Sequence, residues 1–449
     1  MQSGYRFGFA AVSFAFLSVL AFSTVPTPLW SLYAERDGFS SLTITLLFAA
    51  YAVGVAASLF LVGHVSDWRG RRRVLVPALV VNILAGVMFL RWPQTSGLLA
   101  ARIINGLGVG AVSTTATAWL VELLVGYRGP GAARRAQAVA AAVNLAGLGC
   151  GALISGLLAQ WAPDPLTLPF VVVIAAMSIA LVLVLAAPET HPKSDPQPRY
   201  RPQRVSVPAE ARGRFYAAAG AAAVTFAVFG LLTSVAPSFL AGTLHHHSRA
   251  LAGAVSFTAF AIAALAQLLT GSRAPRELLA AAIPTLFAGL GLLTVAVWLP
   301  EPSLGVFIAG AVVSGAGSGL MFKGAIATVA LITAPENRAE ALAGLFLAAY
   351  LGLAGPVIGL GLLTQLVTTR VSLLVFAAVL AGGVLLAAPR LVVRRAPTIS
   401  NDTGEHDATH TTTDHATRNH RSGDHPDRFW RLGDRRRRLG VRLGPAGRR

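Results

Sequence analysis

The chain alternates between long apolar runs and short polar joints. Twelve runs reach the roughly 20 mostly apolar residues that a bilayer-crossing helix needs. In the first half they fall at about 7–26, 42–62, 74–90, 98–122, 136–158 and 167–187. In the second half they fall at about 215–236, 250–270, 278–299, 305–333, 340–366 and 371–388. Between the two sets lies "HPKSDPQPRYRPQRVSVPAEARGR", polar and proline-rich, which predicts a linker between two bundles. The pattern therefore predicts an all-α membrane protein: a six-helix bundle over 1–190, a linker over 191–213, a second bundle over 214–389, and a basic, histidine-containing tail over 390–449. The low complexity of the tail predicts disorder. The opening "MQSGYRFGFAAVSFAFLSVLAF" has the basic start of a signal peptide, but its apolar run is longer than a typical h-region and no clear cleavage site follows, so it reads as the first membrane helix.

Composition agrees with lipid as the main solvent. Hydrophobic residues make up 54% of the 449 and charged residues only 12%, with a mean hydropathy of +0.63, too little charge to clothe a water-soluble surface. The single cysteine, Cys150, lies in an apolar run, which excludes a disulfide framework and reads as inert. A net charge of +18 would suit a nucleic-acid partner, but its placement explains it otherwise. With both termini in the cytoplasm, seventeen Lys and Arg before Arg390 fall in cytoplasmic segments, against four (Arg36, Arg91, Arg249, Arg370) in outer loops. That is the positive-inside asymmetry of a multi-pass protein of an inner or plasma membrane. Composition and charge placement point to the lipid bilayer as partner and away from nucleic acid; no cofactor is expected, and the chain is expected to act as a monomer.

The two halves repeat. At an offset of 209 residues Pro28 falls on Pro237, Tyr51 on Phe260 and Leu59 on Leu268. "NGLGVGA" at 105–111 falls on "SGAGSGL" at 314–320, so Gly106, Gly108 and Gly110 meet Gly315, Gly317 and Gly319. Repeated six-helix halves are a transporter architecture, with the substrate site near the midplane between them.

Two charged side chains lie well inside the predicted spans, Arg102 and Lys323, and a charge there needs a cavity or a partner. Lys323 precedes Pro335 by twelve residues, about 18 Å of helix, which predicts a midplane position lining the substrate path; the alternative is a structural pair with backbone carbonyls. Tyr51, Asn105, Asn144, Gln267 and Tyr350 are further candidates for that path, against interhelical packing and hydrogen bonding as the plainer role. The twelve acids before residue 390 all fall in loops or near helix ends. Runs of histidine at 245–247 and in the tail lack convergent metal-ligand spacing, and "PET" at 188–190 ends helix 6. Gly63 and Gly70 permit a tight turn, and Asp67 between them suits the positive N-terminal end of a helix.

Over roughly residues 5–390 the chain resembles the major facilitator superfamily. The stretch "GHVSDWRGRRRV" carries Gly63, Asp67, Gly70, Arg71 and Arg72 at that family's loop 2–3 spacing, with Trp68 in a usually basic position and Arg69 after it. "RIINGLGVG" in helix 4 matches an arginine-then-glycines motif through Arg102, Gly106, Gly108 and Gly110. "GLGCGALISG" in helix 5 matches an antiporter-type motif through Gly147, Gly151 and Gly156, with Ala152 in place of its proline and Ser155 in place of a glycine. The resemblance implies a cytoplasmic latch in which Arg71 pairs with an acid at the inner end of helix 4, where Glu122 is the only one. It also implies that Asp67 meets the start of helix 11 near Asn337 and Arg338, and that Arg102 serves proton coupling. It implies a secondary carrier, not an enzyme; no nucleophile–base or metal constellation occurs in the spans. Proton-coupled efflux of drug-like compounds is the leading expectation. Uptake of an organic anion or sugar-like solute, favoured by two buried cations without a midplane acid, is the first alternative, and a non-transporting sensor or scaffold the second.

Overall fold

The computed structural model describes residues 2–190, 200–202, 207–271, 273–334 and 337–392; the expected tail, apart from its first three residues, and most of the linker lie outside them. Hydrocarbon offers a peptide group no hydrogen-bond partner, so a crossing segment must close its own N–H and C=O groups, and the apolar runs fold as helices. Among the described residues twelve helices are long and apolar enough to span a membrane. The first half holds α1 (Gln2–Thr24), α2 (Ser41–Leu61), α3 (Arg71–Arg91), α4 (Thr95–Arg128), α5 (Ala133–Trp161) and α6 (Leu168–Leu185). The second holds α7 (Arg212–Gly230), α8 (Arg249–Leu269), α9 (Pro275–Trp298), α10 (Leu304–Ile332), α11 (Arg338–Leu366) and α12 (Thr369–Val392).

Local chemistry sets the ends. Ser40, Ser248 and Ser303 cap α2, α8 and α10 by accepting from the backbone N–H three residues on, which satisfies an orphan donor at each helix start. Helix α4 continues past the expected end at 122 to Arg128, because nothing breaks it before Gly129 turns the chain at φ +86°. Glu122 is therefore inside a helix, with its side chain fixed by the helix register. Gly70, at φ +99°, makes the corner between the short helix Ser66–Arg69 and α3, a conformation that side-chain-bearing residues rarely adopt. Helix α7 runs on through a π-helical turn, Leu231–Val235, whose displaced Leu232 carbonyl accepts from Ser256 Oγ at 2.9 Å.

Glycine decides how the helices pack. A Cβ on Gly106 of α4 would overlap the Tyr51 carbonyl of α2, and one on Gly315 of α10 the Ala259 carbonyl of α8. Gly110 and Gly319 repeat the contact further along; Gly317 meets the Leu286 backbone of α9, whereas Gly108 meets the Asn82 side chain of α3. The repeat read in the sequence is thus a repeat of backbone-to-backbone contacts, where bare Cα atoms let the helices touch without side chains between them. Helices α6 and α12 lie at the rim, with Val182 and Leu386 exposed where lipid would be.

The halves meet along α5–α8 and α2–α11. These contacts lie at mid-height and toward the end far from the basic loops. Gly156 of α5 and Gly253 of α8 bring their backbones together, and Thr45 of α2 abuts Gly361 of α11. At the same end Arg249 pairs with Glu35 at 3.6 Å, and its backbone N–H donates to Gln160 Oε1 at 2.9 Å.

These contacts give opposite signs to one substitution at two glycines. Gly106→Ala should destabilise by about 1–3 kcal/mol, as an overpacked contact does, and lower the thermal midpoint. Gly220→Ala in α7, where a Cβ would meet nothing within 4 Å, should stabilise by about 0.5–1 kcal/mol through helix propensity and raise the midpoint. Differential scanning fluorimetry of the purified variants reads both.

Candidate functional site

At the basic end, Arg71 sits at the first position of α3 and is 5% exposed. Its guanidinium donates from Nη2 and Nε to Glu122 Oε1 at 2.7 and 3.1 Å, and from Nη1 to Asp67 Oδ1 and Ser66 Oγ at 2.5 and 2.8 Å. The fork geometry of arginine lets one side chain hold two carboxylates and a hydroxyl at once. Asp67 remains 58% exposed, and among the described residues its partner is Arg71 of its own half. The structure therefore brings Arg71 to Glu122 and does not bring Asp67 to α11, where Arg338 is exposed. Residues 335 and 336, just before that helix, lie outside the described residues. Arg69 turns away onto the Trp68 ring at 5.1 Å, and Arg72 donates to the Leu185 carbonyl at 2.9 Å. Gly63 carries the chain off α2, its N–H donating to the Ser58 carbonyl at 3.2 Å.

The "PET" triplet, given no role above, locks this network. Glu189 accepts the backbone N–H groups of Arg71 and Arg72 at 3.0 and 2.9 Å. It places a carboxylate on the N-terminus of α3, where free N–H groups and the helix dipole favour an anion. Thr190 Oγ1 donates to Glu122 Oε2 at 2.5 Å, and Trp119 Nε1 to the Pro188 carbonyl at 3.3 Å. One signal in the sequence pointed here: in a chain with so few acids, an acid just past a helix end is worth assigning a partner.

Toward the end of α4 far from the basic loops, seven residues into the helix, Arg102 is 1% exposed. Nη1 donates to the Ser23 carbonyl at 2.8 Å and Nε to the Leu47 carbonyl at 3.3 Å. Ser23 lies in the last turn of α1, where carbonyls have no helical partner. The guanidinium also lies 5.0 Å from the Tyr51 ring centre and 5.7 Å from those of Trp30 and Phe48. Desolvated cation–π contacts reach about 2 kcal/mol each, and here they stand where a carboxylate partner would. Tyr51 in turn meets Tyr350 of α11, edge to face at 6.4 Å, across the boundary between halves.

The remaining candidates separate. Lys323, half-buried, pairs with backbone carbonyls: Nζ donates to the Gln267 and Gly271 carbonyls, both at 2.6 Å, and to Thr270 Oγ1 at 3.2 Å. It caps the C-terminal end of α8, so it sits level with a helix end and not at the midplane. The residue count missed this because α10 extends well beyond the point where α8 stops. Gln267 takes part through its carbonyl. Asn105 donates to Asn82 Oδ1 at 2.9 Å and ties α4 to α3. Asn144 is half-buried and makes no side-chain hydrogen bond among the described residues. The helix 5 glycines divide their contacts: Gly147 and Gly151 face α1, and Gly156 faces α8 of the other half.

Two sets of variants follow. Arg71→Ala leaves Glu122 and Asp67 without their cation and should cost more stability than Glu122→Gln, with a double-mutant coupling of about 1–3 kcal/mol for Arg71 and Glu122, read from denaturation midpoints in detergent. Lys323→Met should cost about 0.5–1.5 kcal/mol by leaving carbonyls unpaired, while the ratio of affinities for anionic and neutral solutes stays unchanged; a changed ratio would return Lys323 to the path.

Comparison with known proteins agrees with this geometry. Over 86 residues, 19% of this chain and 22% of the relative, the sequence is 36% identical to the multidrug resistance protein MdtL of Escherichia coli O45:K1; the match spans less than a quarter of that relative's length. Three solved structures share the fold at low identity. The human organic anion transporter MFSD10 (TETRAN) superposes with a TM-score of 0.65 at 17% identity, covering 86% of this chain and 99% of that one. The nucleoside transporter NupG gives 0.64 at 13%, covering 85% and 98%. A bacterial homologue of the human lysosomal transporter Spinster, inward-facing and unoccupied, gives 0.62 at 16%, covering 87% and 98%. The family model of the Major Facilitator Superfamily matches residues 12–298 and again 218–432. With twelve helices in two repeated halves and this match along its length, the chain belongs to the Major Facilitator Superfamily of transporters.

Proposed function

We propose that the protein exports small, drug-like organic solutes by alternating access, in exchange for protons, across a plasma membrane with both termini in the cytoplasm. One observation carries the reading. The halves touch through bare backbone at one end, at Gly156 and Gly253, while the strongest ion network, around Arg71, closes within a single half at the other. Rigid halves joined at one end are built to rock, which is how repeated carriers expose a midplane site to each side in turn.

In this arrangement the basic, cytoplasmic end is the one without the backbone contact. When the halves rock the other way, the exposed Asp67 carboxylate meets the N-terminal end of α11 and latches the cytoplasmic side, while Arg71 and Glu122 hold the loop that presents it. A preference of a few kcal/mol between the two states is enough to shift the population. Carboxylates at the two ends, Asp67 and Glu122 on one side and Glu35 on the other, are the groups available to a proton-linked step. Export of drug-like compounds is supported by the local match to MdtL. Uptake of an organic anion loses one of its two supports, since Lys323 is occupied by carbonyls; Arg102, without a carboxylate partner among the described residues, remains the observation in its favour.

Flux of a broad solute panel in proteoliposomes, with and without an imposed pH gradient, tests the proposal. Export activity that rises with an opposing proton gradient and falls at least about tenfold in Asp67→Asn is expected, the size of a 1.4 kcal/mol effect on the working equilibrium. Accumulation driven in the same direction as protons would overturn export. No flux of any compound would favour a sensor or scaffold.

A further inference from the structure

The second half places a set of aromatic rings in the middle of the bundle, only one of which, Tyr350, stood out in the sequence. Phe226 of α7 lies 5.1 Å from Phe322 of α10 and 5.2 Å from Tyr350 of α11. Phe322 lies 5.8 Å from Phe346, one helical turn from Tyr350 on the same face of α11. Interplanar angles of 56–74° make these contacts tilted or edge to face. The series crosses to the first half at Tyr350 and Tyr51, and Arg102 stands behind Tyr51.

Two facts separate this group from ordinary core. Phe226, Phe322, Phe346 and Tyr350 are each only partly buried. Their neighbours Phe229 and Phe260, stacked on each other at 4.7 Å, are 6% and 4% exposed. The partly exposed rings also do not face lipid, because they converge from three helices and reach the opposite half. Edge-to-face packing leaves ring faces free, and a free aromatic face with a negative quadrupole takes the positive edge of another ring better than an aliphatic group of equal size. The rings rest on the aliphatic core behind them, and their contacts with one another run from α7 through α10 and α11 to Tyr51 of α2.

We infer that Phe226, Phe322, Phe346 and Tyr350 form a binding wall for aromatic solutes, and that the second half of the protein supplies the preference for aromatic over aliphatic compounds. This rests on the transport reading above and adds the substrate class.

Two pairs of probes, each matched in charge and differing in aromatic character, test it: tetraphenylphosphonium against tetrabutylphosphonium, and 2-naphthoate against decahydro-2-naphthoate. Equilibrium binding to the purified full-length protein should favour the aromatic member of at least one pair by about fivefold or more, as ring–ring contacts predict. Phe226→Leu and Phe322→Leu keep an apolar side chain but remove the ring, and should bring that preference below about twofold; Phe226→Trp should retain it. Equal binding within both pairs, no binding of either aromatic probe, or an unchanged preference in both leucine variants would overturn the inference. The outcomes separate it from the transport reading. Flux of panel solutes without aromatic preference sinks the wall alone, whereas ring-dependent binding with no flux of any compound sinks transport alone.

Discussion

A charge inside this bundle must find its partner in protein, since lipid offers none, and the disposition of the buried cations follows from that. Arg71 has two carboxylates and a hydroxyl. Lys323 has the unpaired carbonyls at the end of a neighbouring helix. Arg102 has two carbonyls and three aromatic faces. A buried charge left unpaired costs several kcal/mol, which is more than most single contacts return. Each cation therefore fixes the relative position of the helices that satisfy it: Arg71 joins α3 to α4, Arg102 joins α4 to α1 and α2, and Lys323 joins α10 to α8.

Glycine supplies the complementary device. Close backbone approach adds to the ionic ties, and Gly106 and Gly110 of α4 and their counterparts Gly315 and Gly319 of α10 supply it in both halves. Ionic ties and glycine contacts are distributed differently along the molecule. The glycine contacts within each half make it a rigid unit. Between the halves the contacts are concentrated at mid-height and at one end, so relative motion is directed into the other.

Much of this was legible in the sequence, because lipid simplifies the code. Helix positions followed from apolar length alone, and the glycine offset of 209 residues showed the repeat, though not which helices the glycines would bring together. Lys323 shows where such reading ends. Its depth was counted along its own helix, whereas its role is set by where the neighbouring α8 stops, a fact of three dimensions. Glu189 shows the reverse failure: the triplet was seen, but only the fold brings the end of α6 beside the first N–H groups of α3. The aromatic wall escaped for a third reason. Phenylalanine is common in membrane helices, and nothing in the spacing of Phe226, Phe322 and Phe346 distinguishes them from their buried neighbours until three helices converge.

The contact of Gly156 with Gly253 has one more consequence. A joint faced with side chains has a thickness that varies with rotamer, whereas two bare backbones have a fixed one. The joint therefore behaves as a mechanical stop with a definite tolerance, set by van der Waals radii and little affected by temperature. A single methyl group there would act as a shim, changing the resting angle between the halves by an amount that depends on its distance from the pivot. On the rocking motion proposed above, the stroke is in that sense calibrated by the absence of two side chains.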